Sequence, residues 1–281
     1  MKPSGEGGFF IPFCRQQYLS INCHSIDLMY GQKFYTIEKS QGGVFMIKVT
    51  IYNEGEHEKT SEAVRSVYPD GIHNCLKAAL ESDDVVITTV TLDTIEELTE
   101  EALAATDVLI WWGHMAHNKV PDEIAKRVQT AVLEGMGVIF LHSGHHSKPF
   151  KLLMGTSCNL TWREDGDQEL VWVCNPAHPI AQGIDRFIKL DHEETYGEPF
   201  GIPEPDELVF IGNFEGGEVF RAGCCYRREY GKVFYFQPGH ETFPTYKNPD
   251  VIKVIKNAIY WAAPIYRKKL DCPHVKKPLE A

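Results

Sequence analysis

Gly135-Met136-Gly137-Val138-Ile139-Phe140-Leu141-His142-Ser143-Gly144-His145-His146 is the stretch on which the fold turns. Val138 to Leu141 is too short for an independent helix and too apolar for an exposed strand. It reads as a strand buried on both faces, in the middle of a parallel sheet. The apolar run stops abruptly at His142, and Gly144 is expected to supply the positive φ of a sharp strand-to-helix turn. Such a turn sets Ser143 and the imidazoles at the carboxyl edge of the sheet, where open α/β sheets bind ligands.

Working outward, strands and helices alternate on the N-terminal side. Ile47–Asn53 is a strand and 54–59 a polar loop. Asp70 is placed to cap a helix whose Ile72, Cys75, Leu76, Ala79 and Leu80 share a face. A strand over 84–92, a short acidic helix over 99–105, a strand over 107–112 and a helix opened by Pro121 follow. Alternation of this kind predicts a doubly wound, mostly parallel, flavodoxin-like α/β sheet. Beyond Ser147 the texture becomes strands and Pro-rich loops, with Gly216-Gly217 as a hairpin turn and a final amphipathic helix over Pro249–Ala262. The second half is therefore expected to add β-hairpins to the sheet.

The chain has 281 residues, 43% hydrophobic, enough for one large core or two modest ones. Its net charge of −11 argues against nucleic acid and anionic membranes as partners. No apolar run reaches the ~20 residues of a membrane span. Eight cysteines without a C-x-x-C pair suit free, mostly buried thiols and a cytoplasmic location. Residues 1–45 lack periodicity, and Met46 stands directly before a clean strand, so they read as a disordered or spurious N-terminal extension. Residues 46–265 form the α/β domain, and 266–281 a loose basic tail.

Three predicted parallel strands end in histidine-bearing loops, and parallel strands share one carboxyl edge. These loops deliver Glu56 and His57, then His114 and His117, then His142, Ser143, His145 and His146. Later segments add Asp191-His192-Glu193-Glu194 and Pro238-Gly239-His240-Glu241. His142 and His240, each ending a buried strand, are the leading candidates. Both suit acid/base work or metal ligation, with His114 as a third ligand. Ser143 is a candidate nucleophile if an imidazole lies beside it, and otherwise a helix cap. The expected catalytic set is His142, Ser143, His240 and Glu241. The expected substrate contacts are Glu56, His57, Trp112, His145 and His192, although an acidic run around His192 also suits a solvated face. No dinucleotide fingerprint follows a strand, and no flavin motif is present.

The segments Val49-Thr50-Ile51-Tyr52-Asn53-Glu54, 107–114, 137–144 and Gln237-Pro238-Gly239-His240-Glu241, in that order, resemble the trehalose utilisation protein ThuA family. The resemblance implies a class I glutamine amidotransferase-like fold and a cytoplasmic role in catabolism of trehalose or related disaccharides and their 3-keto derivatives. The amidotransferase cysteine is missing, since the elbow reads Leu141-His142-Ser143-Gly144. Glutamine hydrolysis through a thiolate is therefore not expected. Three readings follow: a carbohydrate enzyme using histidines or a divalent metal, zinc by its ligand types; a non-catalytic sugar-binding partner of a separate sugar dehydrogenase; and a Ser/His hydrolase. A homo-oligomer is compatible with each.

Overall fold

The computed structural model describes residues 46–278 and 280. The extension expected over 1–45 lies outside the described residues. The chain runs β1 (Ile47–Asn53), α1 (Glu56–Thr60), α2 (Glu62–Val67), α3 (Ile72–Leu80), β2 (Val85–Thr91), α4 (Glu100–Ala105), β3 (Val108–Trp112), α5 (Asp122–Leu133), β4 (Gly137–Leu141) and α6 (Lys148–Met154). It continues with β5 (Thr161–Arg163), β6 (Glu169–Val173), β7 (Phe187–Leu190), β8 (Thr195–Gly197), β9 (Glu207–Phe214), β10 (Val219–Arg228), β11 (Gly231–Phe236) and α7 (Pro249–Ala262).

Among the described residues, nine strands form one sheet in the order β2-β1-β3-β4-β11-β10-β9-β6-β7. The five from β2 to β11 are parallel. From β11 outward every pairing is antiparallel. The hairpins of the second half thus extend the parallel core, as the sequence predicts. All five residues of β4 are buried, as a strand covered on both faces must be. The connection from β1 to β2 runs one way along the sheet, and those from β2 to β3 and β3 to β4 run back. Right-handed crossovers therefore put α3 on one face and α4 and α5 on the other. The chain's reversal makes β1 and β3 neighbours whose connections leave toward opposite faces, the position at which such sheets bind ligands.

Local details differ from expectation. The positive φ at the end of β4 falls on His142, at 51°, not on Gly144. Gly144 sits at a close approach instead, since a Cβ there would lie a tight 3.2 Å from the Trp111 carbonyl oxygen. Serine capping of α6 comes from Ser147, whose hydroxyl accepts from the Phe150 amide at 3.3 Å. Gly71, not Asp70, precedes α3, with no side-chain cap. The polar loop after β1 winds into α1. The three-residue strands β5 and β8, absent from the sequence reading, pair only with each other. The basic tail starts fastened: the Arg267 guanidinium donates to the Thr106 carbonyl, and the Lys268 amide to Glu134 at 3.0 Å. Cys158, Cys224 and Cys225 are buried free thiols, whereas Cys174 and Cys272 are exposed. No helix among the described residues is long and apolar enough to cross a membrane.

Candidate metal centre at the carboxyl edge

Four strand ends build the site. After β1, the buried Glu54 carboxylate accepts the amides of Met115 at 2.8 Å and Ala116 at 3.0 Å, which fixes the loop carrying His114 after β3. His142 follows β4, and its Nδ1 donates to the Gln237 carbonyl at 2.9 Å, leaving Nε2 to face the crevice. His240 and Glu241 follow β11. Their loop is held by Glu193, whose carboxylate accepts the Gly239, His240 and Glu194 amides at 3.0 Å each and the Thr245 hydroxyl at 2.7 Å. Gly239 has φ 138°, and a Cβ on it would sit 1.9 Å from the Tyr246 hydroxyl oxygen, so only glycine fits.

One ligand atom from each of His114, His142, His240 and Glu241 lies within 4.8 Å of the others. His114 Nδ1 is 3.0 Å from Glu241 Oε2, His142 Nε2 is 2.9 Å from Glu194 Oε2, and His240 Nε2 is 3.7 Å from Glu241 Oε2. Yet His114 Nδ1, His240 Nε2, Glu194 Oε2 and Glu241 Oε2 are all buried and make no hydrogen bond. Buried polar atoms almost always find partners, and here the histidine–glutamate contacts are ion pairs without good hydrogen-bond alignment. Ligand atoms gathered this closely from four residues are spaced to share one cation. A nitrogen-rich set with carboxylate oxygen suits zinc.

The electrostatics follow from burial and pairing. Burial disfavours a charge on His142, but the carboxylates of Glu194, Glu193 and Glu241 outweigh it and push the imidazole up to about 9. Burial alone would raise the Glu241 carboxyl. The imidazoles of His114 and His57, the latter hydrogen-bonded to Glu241 Oε1, hold it well below the carboxylate range instead. Glu194 is held low in the same way, against burial, by His142. The His57 imidazole is raised by Glu241. Burial and the neighbouring His142 push His240 down.

Of the residues expected from sequence, His57, His114, His142, His240 and Glu241 come together here. Ser143 lies beside them, but its hydroxyl bonds to the Tyr196 hydroxyl at 2.8 Å, not to an imidazole, so a Ser/His pair is not formed. His145 is buried, with Nδ1 donating to the Cys158 carbonyl at 2.8 Å, although its ring still borders a cavity. Three residues expected as substrate contacts stand apart from the cluster. Trp112 is fully buried and spends its indole N–H on the Gly239 carbonyl at 3.1 Å, so it serves the frame. Glu56 pairs with Lys59 and Lys119 outside the cluster. His192 is exposed, bonded to the Gly166 carbonyl at 2.9 Å and separated from His240 by Phe243, whose ring packs on both.

Sequence reasoning brought the segment holding Glu193 and Glu194 to the edge but gave those two no role, and it assigned none to Glu54, Tyr196 or Glu164. Glu164 brings a carboxylate oxygen 3.4 Å from His240 Nε2 and forms a second cluster with Glu194 and His240. The one available signal was the acidic run before Thr195-Tyr196, which resembles a solvated loop until its burial is known.

A mostly parallel sheet of this topology, with a histidine–carboxylate cluster at its carboxyl edge, defines an α/β protein of flavodoxin-like architecture. The chain belongs to the ThuA family, described as trehalose utilisation, which matches residues 48–262. A ThuA-like protein of Parabacteroides merdae is similar in structure at TM-score 0.61 and 14% identity, over 80% of this chain and 92% of that one. A ThuA-like protein of Bacteroides uniformis gives 0.57 and 15%, over 76% and 90%. A cytoplasmic protein of Salmonella typhimurium gives 0.52 and 11%, over 78% and 100%. At these identities the likeness is one of fold. No curated protein matches the chain.

Proposed function

We propose that the chain is a carbohydrate-processing enzyme in which His114, His142, His240 and Glu241 hold a divalent cation, zinc by preference, and act on a sugar or its 3-keto derivative. The observation that carries this reading is that one ligand atom from each of His114, His142, His240 and Glu241 lies within 4.8 Å of the others, with the His114, His240 and Glu241 atoms buried and lacking a well-formed hydrogen bond. Membership of a family described by trehalose utilisation supports the substrate class. When bound, such a cation polarises a carbonyl or hydroxyl oxygen.

The chain's own groups handle protons. His57 gives its Nδ1–H to Glu241, which leaves Nε2 with the lone pair in the neutral ring, and the residue lines a cavity beside the cluster. It takes the acidic proton from the carbon beside a sugar carbonyl and returns it to the neighbouring atom, which is an isomerisation. If a substituent leaves from the next carbon instead, the result is an elimination. Ser143 and Tyr196 line the neighbouring cavity, where they orient sugar hydroxyls. The test is metal content by elemental mass spectrometry on untagged protein purified without added metal. About one equivalent, lost in His142→Ala and in Glu241→Gln variants that retain their fold by circular dichroism, is the expected result. Less than about a tenth of an equivalent, unchanged in the variants, would refute the metal centre.

A further inference from the structure

Glu194 reaches the cluster without belonging to the proposed ligand set. It is 3% exposed, and its Oε2 stands 2.9 Å from His142 Nε2 without a well-formed hydrogen bond. An ion pair between the two needs a proton on Nε2. The Nδ1 proton is already given to the Gln237 carbonyl, so His142 can ligate a cation only after Nε2 has lost its own. Loading the first cation therefore takes from Glu194 Oε2 the N–H it faces. A buried carboxylate left without a compensating positive charge is costly.

Glu194 has a second set of neighbours. One ligand atom from each of Glu164, Glu194 and His240 lies within 4.8 Å of the others. His240 is 4% exposed, and its Nδ1–H donates to the Thr242 hydroxyl oxygen at 2.8 Å in the tautomer that leaves Nε2 free to ligate. That Nε2 is 3.4 Å from Glu164 Oε1 and 3.7 Å from Glu241 Oε2, so it stands within reach of both groups of ligands. Glu164 follows β5 with more than half its side chain exposed. With His240 it borders a cavity of about 400 Å³, which gives an ion a way in. Glu194 borders the other cavity, of about 370 Å³, together with His114.

We infer that Glu164, Glu194 and His240 form a second cation site beside the first, with the Glu194 carboxylate bridging the two. This rests on the metal centre proposed above and adds an ion to it. Four protein ligands close the first site in the manner of a structural zinc. When His240 turns to the second ion, His114, His142 and Glu241 remain, the three-ligand pattern that leaves a position open for substrate. Two carboxylates with one imidazole make a harder set than the first, and it suits manganese. A pair of cations fits a ligand that presents two neighbouring oxygens, such as a hydroxyl beside a carbonyl.

Manganese titration of protein carrying about one equivalent of zinc tests it, followed by electron paramagnetic resonance, in which the signal of free manganese falls on binding. Zinc outcompetes manganese for a common set of ligands and should keep the first site. The expected result is about one equivalent of bound manganese with the zinc retained, both measured by elemental mass spectrometry on the same sample. Glu164→Gln changes an exposed side chain and should leave folding and zinc content intact. It and Glu194→Gln should each weaken manganese binding by about tenfold or more. Zinc-loaded protein that takes up no manganese, manganese that enters only as zinc leaves, or uptake indifferent to both substitutions would overturn the second site and leave the first standing. Protein that holds no zinc overturns both.

Discussion

Replacing Glu193 by glutamine keeps the size of a side chain that touches none of the two cavities, yet it should weaken both the fold and the metal centre. Four donors converge on this buried carboxylate. Oε1 takes the Glu194 and His240 amides, and Oε2 takes the Gly239 amide and the Thr245 hydroxyl. Because each oxygen serves at least one backbone amide, the glutamine NH2 must face a backbone N–H whichever way it is turned. The better orientation keeps the two amides at Oε1 and sets the NH2 against Gly239, while the Thr245 hydroxyl rotates to accept. One orphaned amide costs about 1–3 kcal/mol, and losing the charge weakens the surviving bonds by about 1 kcal/mol each, for a total of about 3–5 kcal/mol. The assay is urea unfolding in the presence of chelator, with the slope checked for two-state behaviour. The same amides belong to the loop that presents His240 and Glu241, so metal affinity should fall by about 10- to 100-fold, as for other residues that position ligands. Thr245→Val removes a single bond and should cost about 1.5–3 kcal/mol. A Glu193→Gln protein within about 1 kcal/mol of wild type, with unchanged metal affinity, would refute this account of how the loop is held.

Glu169 supplies a pH test. It is fully buried, and burial, aided by the charge of Glu193, raises its carboxyl well above the usual 4.5. The folded chain therefore keeps this proton to higher pH than the unfolded chain, so its stabilising contribution is complete below about 4.5 and is lost as pH rises toward the folded value. Urea midpoints should show Glu169→Gln gaining on wild type between about pH 5 and 8, whereas a constant difference would count against a raised carboxyl. Gly239→Ala should cost about 3 kcal/mol or more by thermal or urea unfolding, from its positive φ and the clash with Tyr246. The double variant with Tyr246→Phe should not recover, because the ring carbon Cζ itself lies 2.4 Å from the added Cβ.

Much of the parallel half was legible because buried parallel strands are apolar runs and their helices carry caps and stripes. β1 and α7 match the sequence reading to the residue, and β4 extends its Val138–Leu141 core by one glycine. Convergence of His57, His114, His142, His240 and Glu241 was legible too, since strands that share a direction share an edge. Tertiary circumstance decided the rest. β5 and β8 are three residues long, and β5 is largely exposed, so no periodicity can announce them. Glu193 and Glu194 sit in an acidic run that looks solvated, and only the waiting amides of residues 239 and 240 and the imidazole of His142 make their burial tolerable. Trp112 and Glu56 lie at the correct strand ends but point to other partners. The left-handed residue proved to be His142 because a histidine there gains a carbonyl for one nitrogen and the cluster for the other, which offsets a strain of about 1–3 kcal/mol.

The insertion of β11 between β4 and β10 has a consequence for how the chain assembles. Residues 47–141 can begin to pair as they leave the ribosome, but the far edge of β4 stays open until a strand about ninety residues later arrives. Through that interval the most apolar edge of the sheet, Val138 to Leu141, is exposed to other nascent chains. The same late strand carries His240 and Glu241 at its end. Closing the vulnerable edge and completing the proposed ligand set are thus one event, and metal retained at the proposed centre would report that the last strand has docked.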